Sequence, residues 1–128
     1  TGSGYQAAVL AEVAADVFTV EWVPELAAAA KKRLARLGYG NVRVRQGDGA
    51  QGWPENASFD GILLSCAAVE FPEALIQQLA PGGRLVAPVG SRGYGQVLTV
   101  LEMEASGEVS RRPILPVAFV PLLGGSGD

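Results

Sequence analysis

The segment Gly2-Ser3-Gly4-Tyr5-Gln6-Ala7 matches G-x-G-x-x-A, and Glu21 follows 17 residues after Gly4 at the end of a β-branched run. Glycines at this spacing let the backbone approach a ligand at a helix N-terminus, where free N–H groups and the helix dipole meet polar atoms. An acid at the end of the next strand can accept hydrogen bonds from ribose hydroxyls. Together they predict a nucleoside-cofactor site on an α/β sheet. The competing reading is an ordinary tight turn and a surface glutamate.

The order of elements suits such a sheet. Small and apolar residues from Tyr5 to Ala15 predict a helix. Val17 to Glu21 predicts a buried strand, and Pro24 to Leu37 a helix with Pro24 in its first turn and Gly38 as its C-cap. Val42 to Arg45 alternates as a strand that runs into the turn Gly47-Asp48-Gly49, with Gly52 to Asn56 as loop. Phe59 to Ser65 reads as a buried central strand, Pro72 to Leu79 as a short helix, Pro81-Gly82-Gly83 as a turn and Arg84 to Val89 as a strand. This alternation implies parallel pairing with helices on both faces. After Gly95 the helices stop: Gln96 to Met103, Val109 to Leu115 and Val117 to Leu122 read as antiparallel additions at one edge. A single domain over residues 1–123 is expected, followed by a flexible tail at 124–128.

Composition narrows the chemistry. The 128 residues include no histidine, which removes Ser-His and Cys-His nucleophile pairs and histidine metal sites. One cysteine excludes an intrachain disulfide and fits a reducing compartment. Cys66 follows an apolar strand and reads as a packed small residue rather than a nucleophile. A net charge of -3 argues against a broad nucleic-acid surface. The run Lys31-Lys32-Arg33 reads as a solvated helix face. No apolar run approaches the roughly 18 residues that span a bilayer.

Asp48, flanked by glycines, can serve as a turn former, or its carboxylate can accept a hydrogen bond from an adenine amino group while Gly49 leaves backbone open to the ring. The glycine loop, Glu21, Asp48, Phe59-Asp60 and Pro81-Gly82-Gly83-Arg84-Leu85 together resemble the S-adenosylmethionine-dependent methyltransferases. Tyr39-Gly40-Asn41-Val42, Gly47-Asp48-Gly49 with Gly52-Trp53-Pro54, Pro72-Glu73-Ala74-Leu75 and Leu115 to Leu122 narrow this to a resemblance, over essentially the whole chain, to the protein-L-isoaspartate O-methyltransferase family.

The resemblance implies a Rossmann-like methyltransferase fold: a mostly parallel sheet with antiparallel C-terminal edge strands, whose first strand would lie ahead of Thr1 and is missing here. It implies S-adenosyl-L-methionine as cofactor, with Gly2 and Gly4 at its methionine and ribose region, Glu21 on the ribose hydroxyls, and Asp48 and Gly49 at the adenine. Val117, Ala118, Phe119, Val120 and Pro121 would line the acceptor pocket, although Phe119 and Val120 also read as core residues of an edge strand. The implied activity is methyl transfer to L-isoaspartyl carboxylates in damaged proteins and peptides, with no catalytic acid–base residue and no metal, by a cytoplasmic enzyme that is monomeric when complete. Without its first strand the chain is expected to be impaired. A small-molecule methyltransferase, a nicotinamide oxidoreductase and an inactive fragment are the alternatives. The chain departs from the family pattern at Val69, where proline is common, and at Ala118, where a longer polar side chain is common.

Overall fold

The computed structural model describes residues 1–91 and 93–124. Apart from Gly124, the expected tail therefore lies outside the described residues. The chain forms two compact units, Thr1–Gly49 and Ala50–Asp128.

In the first unit, α1 (Tyr5–Val13) leads to β1 (Val17–Glu21), α2 (Pro24–Arg36) and β2 (Val42–Gln46). β1 and β2 pair in parallel from Val17↔Val42 to Glu21↔Gln46. α1 stops two residues short of the expected Ala15. Ala14 is already extended, and the Asn41 side-chain amide donates to the carbonyls of Ala11 and Ala14 at the helix end. α2 ends in a Schellman motif: Gly38, at φ +85, donates to Ala35 and Tyr39 donates to Leu34. Ala7, Val17 and Leu34 form the buried centre of this unit, with Leu10, Val42 and Val44 packed around them.

The 3-10 turn Gly49–Gln51 runs from the last residue of the first unit into the second, where a further 3-10 turn, Pro54–Asn56, follows. It continues through β3 (Phe59–Leu63), α3 (Glu73–Ile76), β4 (Leu79–Ser91), β5 (Gly95–Met103) and β6 (Val109–Val117). The ladder order is β3-β4-β5-β6, with β3 and β4 parallel and the last two pairs antiparallel. The antiparallel C-terminal additions are thus as expected. Phe71, Leu75, Leu79, Leu85, Ala87 and Leu101 make the core.

Four expectations need correction here. β3 is not buried along its length: Asp60, Gly61 and Leu63 are exposed, because β3 ends the ladder rather than lying within it. The helix expected through Leu79 stops at Ile76, since Phe59 N–H donates to Gln78 C=O and Leu79 pairs with Phe59. Pro81-Gly82-Gly83 does not separate helix from strand but is an excursion within β4, between the pairs Phe59↔Leu79 and Gly61↔Arg84. β6 runs unbroken past Leu115 to Val117, and the segment expected as a strand to Leu122 leaves the ladder there. Pro113 and Pro116 fit within β6 because it is an outer strand.

The β4–β5 hairpin contains the tightest backbone approach. Gly90 sits at φ +139, and a Cβ there would collide with the Gly95 carbonyl oxygen. Gly90→Ala is therefore expected to destabilise the protein by about 1–3 kcal/mol. Urea unfolding should show a lower midpoint with an unchanged slope. An unchanged midpoint would contradict the assigned approach.

Candidate cofactor and acceptor sites

The first unit brings the glycine loop and Glu21 together. Gly4 stands at the N-terminus of α1 with φ +93, and Gly2 has φ +56, so both occupy the left-handed region that glycine adopts without strain. A Cβ on Gly4 would press to 3.3 Å from Leu34 Cδ1, whereas a Cβ on Gly2 would meet nothing within 4 Å. Gly4 is thus needed for packing, while Gly2 leaves an open backbone face.

Glu21 fixes that face. Gly2 N–H donates to its Oε1 at 2.8 Å and Val23 N–H to its Oε2 at 3.0 Å. Thr1 Oγ1 lies 2.6 Å from Thr19 Oγ1 and donates to Val20 C=O, while Arg33 Nη1 donates to Ser3 C=O at 2.6 Å. The loop is held from β1 through Glu21 and the threonines, and from α2 through Arg33. A carboxylate has about four lone-pair directions, so Glu21 retains acceptor capacity beyond these two bonds. Asp48 and Gly49, both half-buried, follow β2 just beyond Gln46, the residue paired with Glu21, and Gly47 N–H donates to Glu21 C=O. The five expected cofactor residues therefore lie on the loop and at the carboxyl ends of two adjacent parallel strands, where open α/β sheets bind ligands.

Trp22, next to Glu21, is exposed, and its carbonyl accepts a hydrogen bond from Gln46 Nε2. A separate groove of about 390 Å³ between α1 and α2 is lined by Tyr5, Val9, Arg33, Leu34, Leu37 and Tyr39, among others. It reaches the loop through Ser3 and Gly4 and is not lined by Gly2, Glu21, Asp48 or Gly49.

The second unit gathers the expected acceptor residues. Val117 ends β6, and Ala118, Phe119, Val120 and Pro121 follow as an exposed strap. Phe119 is 41% and Val120 69% exposed, so neither is a core residue of an edge strand. Ala67 N–H donates to Val120 C=O, and Leu122 N–H donates to Ala67 C=O. Cys66, immediately before Ala67, is half-buried.

Two polar residues escaped the sequence reading. Gln78 is buried, accepts from Trp53 N–H at 2.9 Å and donates to Gln51 C=O at 2.9 Å. It explains the glycine of the G-W-P loop, since Gly52 has φ +64 and a Cβ there would overlap the Gln78 carboxamide. Gln96 holds Phe119 in a comparable way: Phe119 N–H donates to its Oε1 at 2.7 Å, and its Nε2 donates to Phe119 C=O at 3.1 Å. Only contacts distant in the chain give these glutamines their roles, and no local pattern announces them.

Burial alone would raise the Glu21 pKa, but the hydrogen bonds from Val23 and Gly2 hold it below its ordinary value. Because the folded value is the lower one, the stabilisation is full above the unfolded pKa and is lost as pH falls through the folded pKa. In an NMR titration the Gly2 and Val23 amide shifts should move together, with a midpoint below the usual glutamate range of about 4.3. Glu21→Gln should abolish that common step, and separate midpoints would contradict the shared latch.

The family model for protein-L-isoaspartate(D-aspartate) O-methyltransferase matches residues 1–127. A protein-L-isoaspartate O-methyltransferase 2 from Syntrophobacter fumaroxidans is 54% identical over 98% of this chain and 51% of its own length. A protein-L-isoaspartate O-methyltransferase from Gloeobacter violaceus is 55% identical over 95% of this chain and 59% of its own. The chain thus spans about half the length of the curated relatives it matches. A solved protein-L-isoaspartate O-methyltransferase superposes with TM-score 0.88 at 30% identity, covering 97% of this chain and 40% of that one. A Plasmodium falciparum structure assigned to the same enzyme, in complex with S-adenosyl-L-homocysteine, gives TM-score 0.70 at 25% identity, covering 93% of this chain and 57% of that one. The fold is the Rossmann-like one of S-adenosylmethionine-dependent methyltransferases, and the chain belongs to the protein-L-isoaspartate(D-aspartate) O-methyltransferase family.

Proposed function

We propose that this chain binds S-adenosyl-L-methionine at the carboxyl ends of β1 and β2 and serves methyl transfer to the free carboxylate of L-isoaspartyl residues in proteins and peptides. The observation that supports the cofactor reading most is the latched glycine loop. Gly2 presents an open backbone face, tied by its N–H to the acid expected at the ribose. In this reading Gly2 and Gly4 hold the methionine and ribose region, Glu21 accepts from the ribose hydroxyls, and Asp48 with Gly49 receives the adenine. When bound, the cofactor supplies an electrophilic methyl group on a sulfonium.

The protein's own work is then orientation. An isoaspartyl carboxylate is ionised at neutral pH and needs no general base, which suits a chain without histidine. Val117 to Pro121 shape the acceptor pocket, with the exposed Phe119 and Val120 side chains offering the apolar contacts that exclude water. Among the described residues no helix is long and apolar enough to cross a membrane. A monomeric cytoplasmic enzyme remains part of the proposal.

Three measurements test this reading. S-adenosylhomocysteine should bind in titration calorimetry while NAD does not, and the reverse preference would sink the cofactor assignment. Glu21→Ala and Asp48→Ala should each weaken that binding by about 1–3 kcal/mol, through loss of a hydrogen bond to a largely buried ligand. Val120→Asp should abolish methylation of an isoaspartyl peptide while leaving S-adenosylhomocysteine affinity within about threefold. Equal loss of both would make the strap merely structural.

A further inference from the structure

The β5–β6 ladder ends at Gln96↔Val117. One residue earlier, Gly95 opens β5 at φ +84 and pairs with Ser91 of β4 but with no residue of the strap, so β5 does not extend far enough to pair with Phe119. Phe119 nevertheless keeps both of its backbone bonds. Its N–H donates to Gln96 Oε1 at 2.7 Å and its C=O accepts from Gln96 Nε2 at 3.1 Å. That is the donor and acceptor pair a neighbouring strand residue would offer, supplied here by one carboxamide. From the other side, Val120 C=O and Leu122 N–H are taken by Ala67. The backbone is therefore fixed on both sides of the exposed Val120 side chain, although the segment lies outside the ladder.

We propose that Gln96 is a positioning residue for acceptor binding: its carboxamide replaces the missing ladder partner and sets where Phe119 and Val120 are presented to the substrate. This rests on the reading of Val117 to Pro121 as the acceptor surface. Gln96 acts through the backbone of Phe119 and is not itself a catalytic residue. Carboxamide chemistry is specific to the task, because it offers one acceptor and one donor from a planar group. A glutamate can accept from Phe119 N–H but places a second acceptor against Phe119 C=O.

The test compares wild type with Gln96→Ala and Gln96→Glu, using two independent measurements. The first is amide exchange at Phe119. Both bonds predict protection in wild type, at least tenfold loss in Gln96→Ala and a smaller loss in Gln96→Glu. Equal protection in wild type and Gln96→Ala would overturn the proposal whether or not the protein methylates anything. The second is steady-state methylation of an isoaspartyl peptide with calorimetry of S-adenosylhomocysteine. Gln96→Ala should raise KM for the peptide at least fivefold with kcat within about twofold and cofactor affinity unchanged, and Gln96→Glu should recover part of that loss. A fall in kcat with unchanged KM, or a parallel loss of cofactor affinity, would assign Gln96 a general structural role and overturn the proposal. Wild-type protein that binds S-adenosylhomocysteine but methylates no isoaspartyl peptide would instead remove the acceptor reading, and with it the proposed role, while the exchange data would still decide the latch.

Discussion

The carboxylate of Glu21, receiving one N–H from the glycine loop and one from the start of the next helical segment, is the contact on which the first unit's site depends. Without it Gly2 would have no direct hydrogen bond holding its N–H and, with nothing near its Cβ position, only the Gly4 N–H to Thr1 C=O bond across the turn to limit its backbone. With it, a flexible residue acquires a defined orientation from a group that is itself anchored at a strand end. Charge-assisted bonds of this kind are shorter and stronger than neutral ones, so a single side chain can order a loop. The arginine contact to Ser3 and the threonine pair add restraints from other directions, so the loop's geometry is built by the scaffold.

The second unit solves the same problem without charge. Gln78 and Gln96 each meet a stretch of backbone with one donor and one acceptor, and each serves a segment outside regular structure: the loop at Gln51 to Trp53 and the strap at Phe119. Buried or half-buried backbone groups need partners, and where the chain leaves the ladder a side-chain amide supplies them. The glycine at position 52 then follows from the glutamine rather than from the turn alone, because any Cβ would displace the carboxamide.

These contacts also mark where the sequence was legible. β1 was readable residue for residue because Val17 to Glu21 is a short β-branched run between two helical patterns. α2 was readable to within a residue because Pro24 and Gly38 punctuate it from either end. The placement of Gly2, Gly4, Glu21, Asp48 and Gly49 on a loop and at strand ends was readable because local spacing, glycines before a helix and an acid at a strand end, encodes it. β6 was misread because Pro116 looks like an interruption between two strands, and only the position at the ladder's edge makes it admissible. The exposure of β3 and the early stop of α3 depend on which strands lie alongside, and no local period encodes that. The conformation of residues 118–121 was not legible: they form a strap tied by Gln96 and Ala67 rather than another strand.

The prolines of β6 carry a consequence for the behaviour of the protein in concentrated solution. An outer strand with a free run of N–H groups is a template on which another chain can add. In the nine residues of β6, Pro113 and Pro116 remove two donors outright, and Arg111 with Arg112 places adjacent positive charges along the same stretch. A bulge opposite Leu98 and Thr99 further breaks the regular spacing that an incoming strand would have to match. The prolines, the paired arginines and the bulge therefore make this strand a poor seed for intermolecular sheet growth.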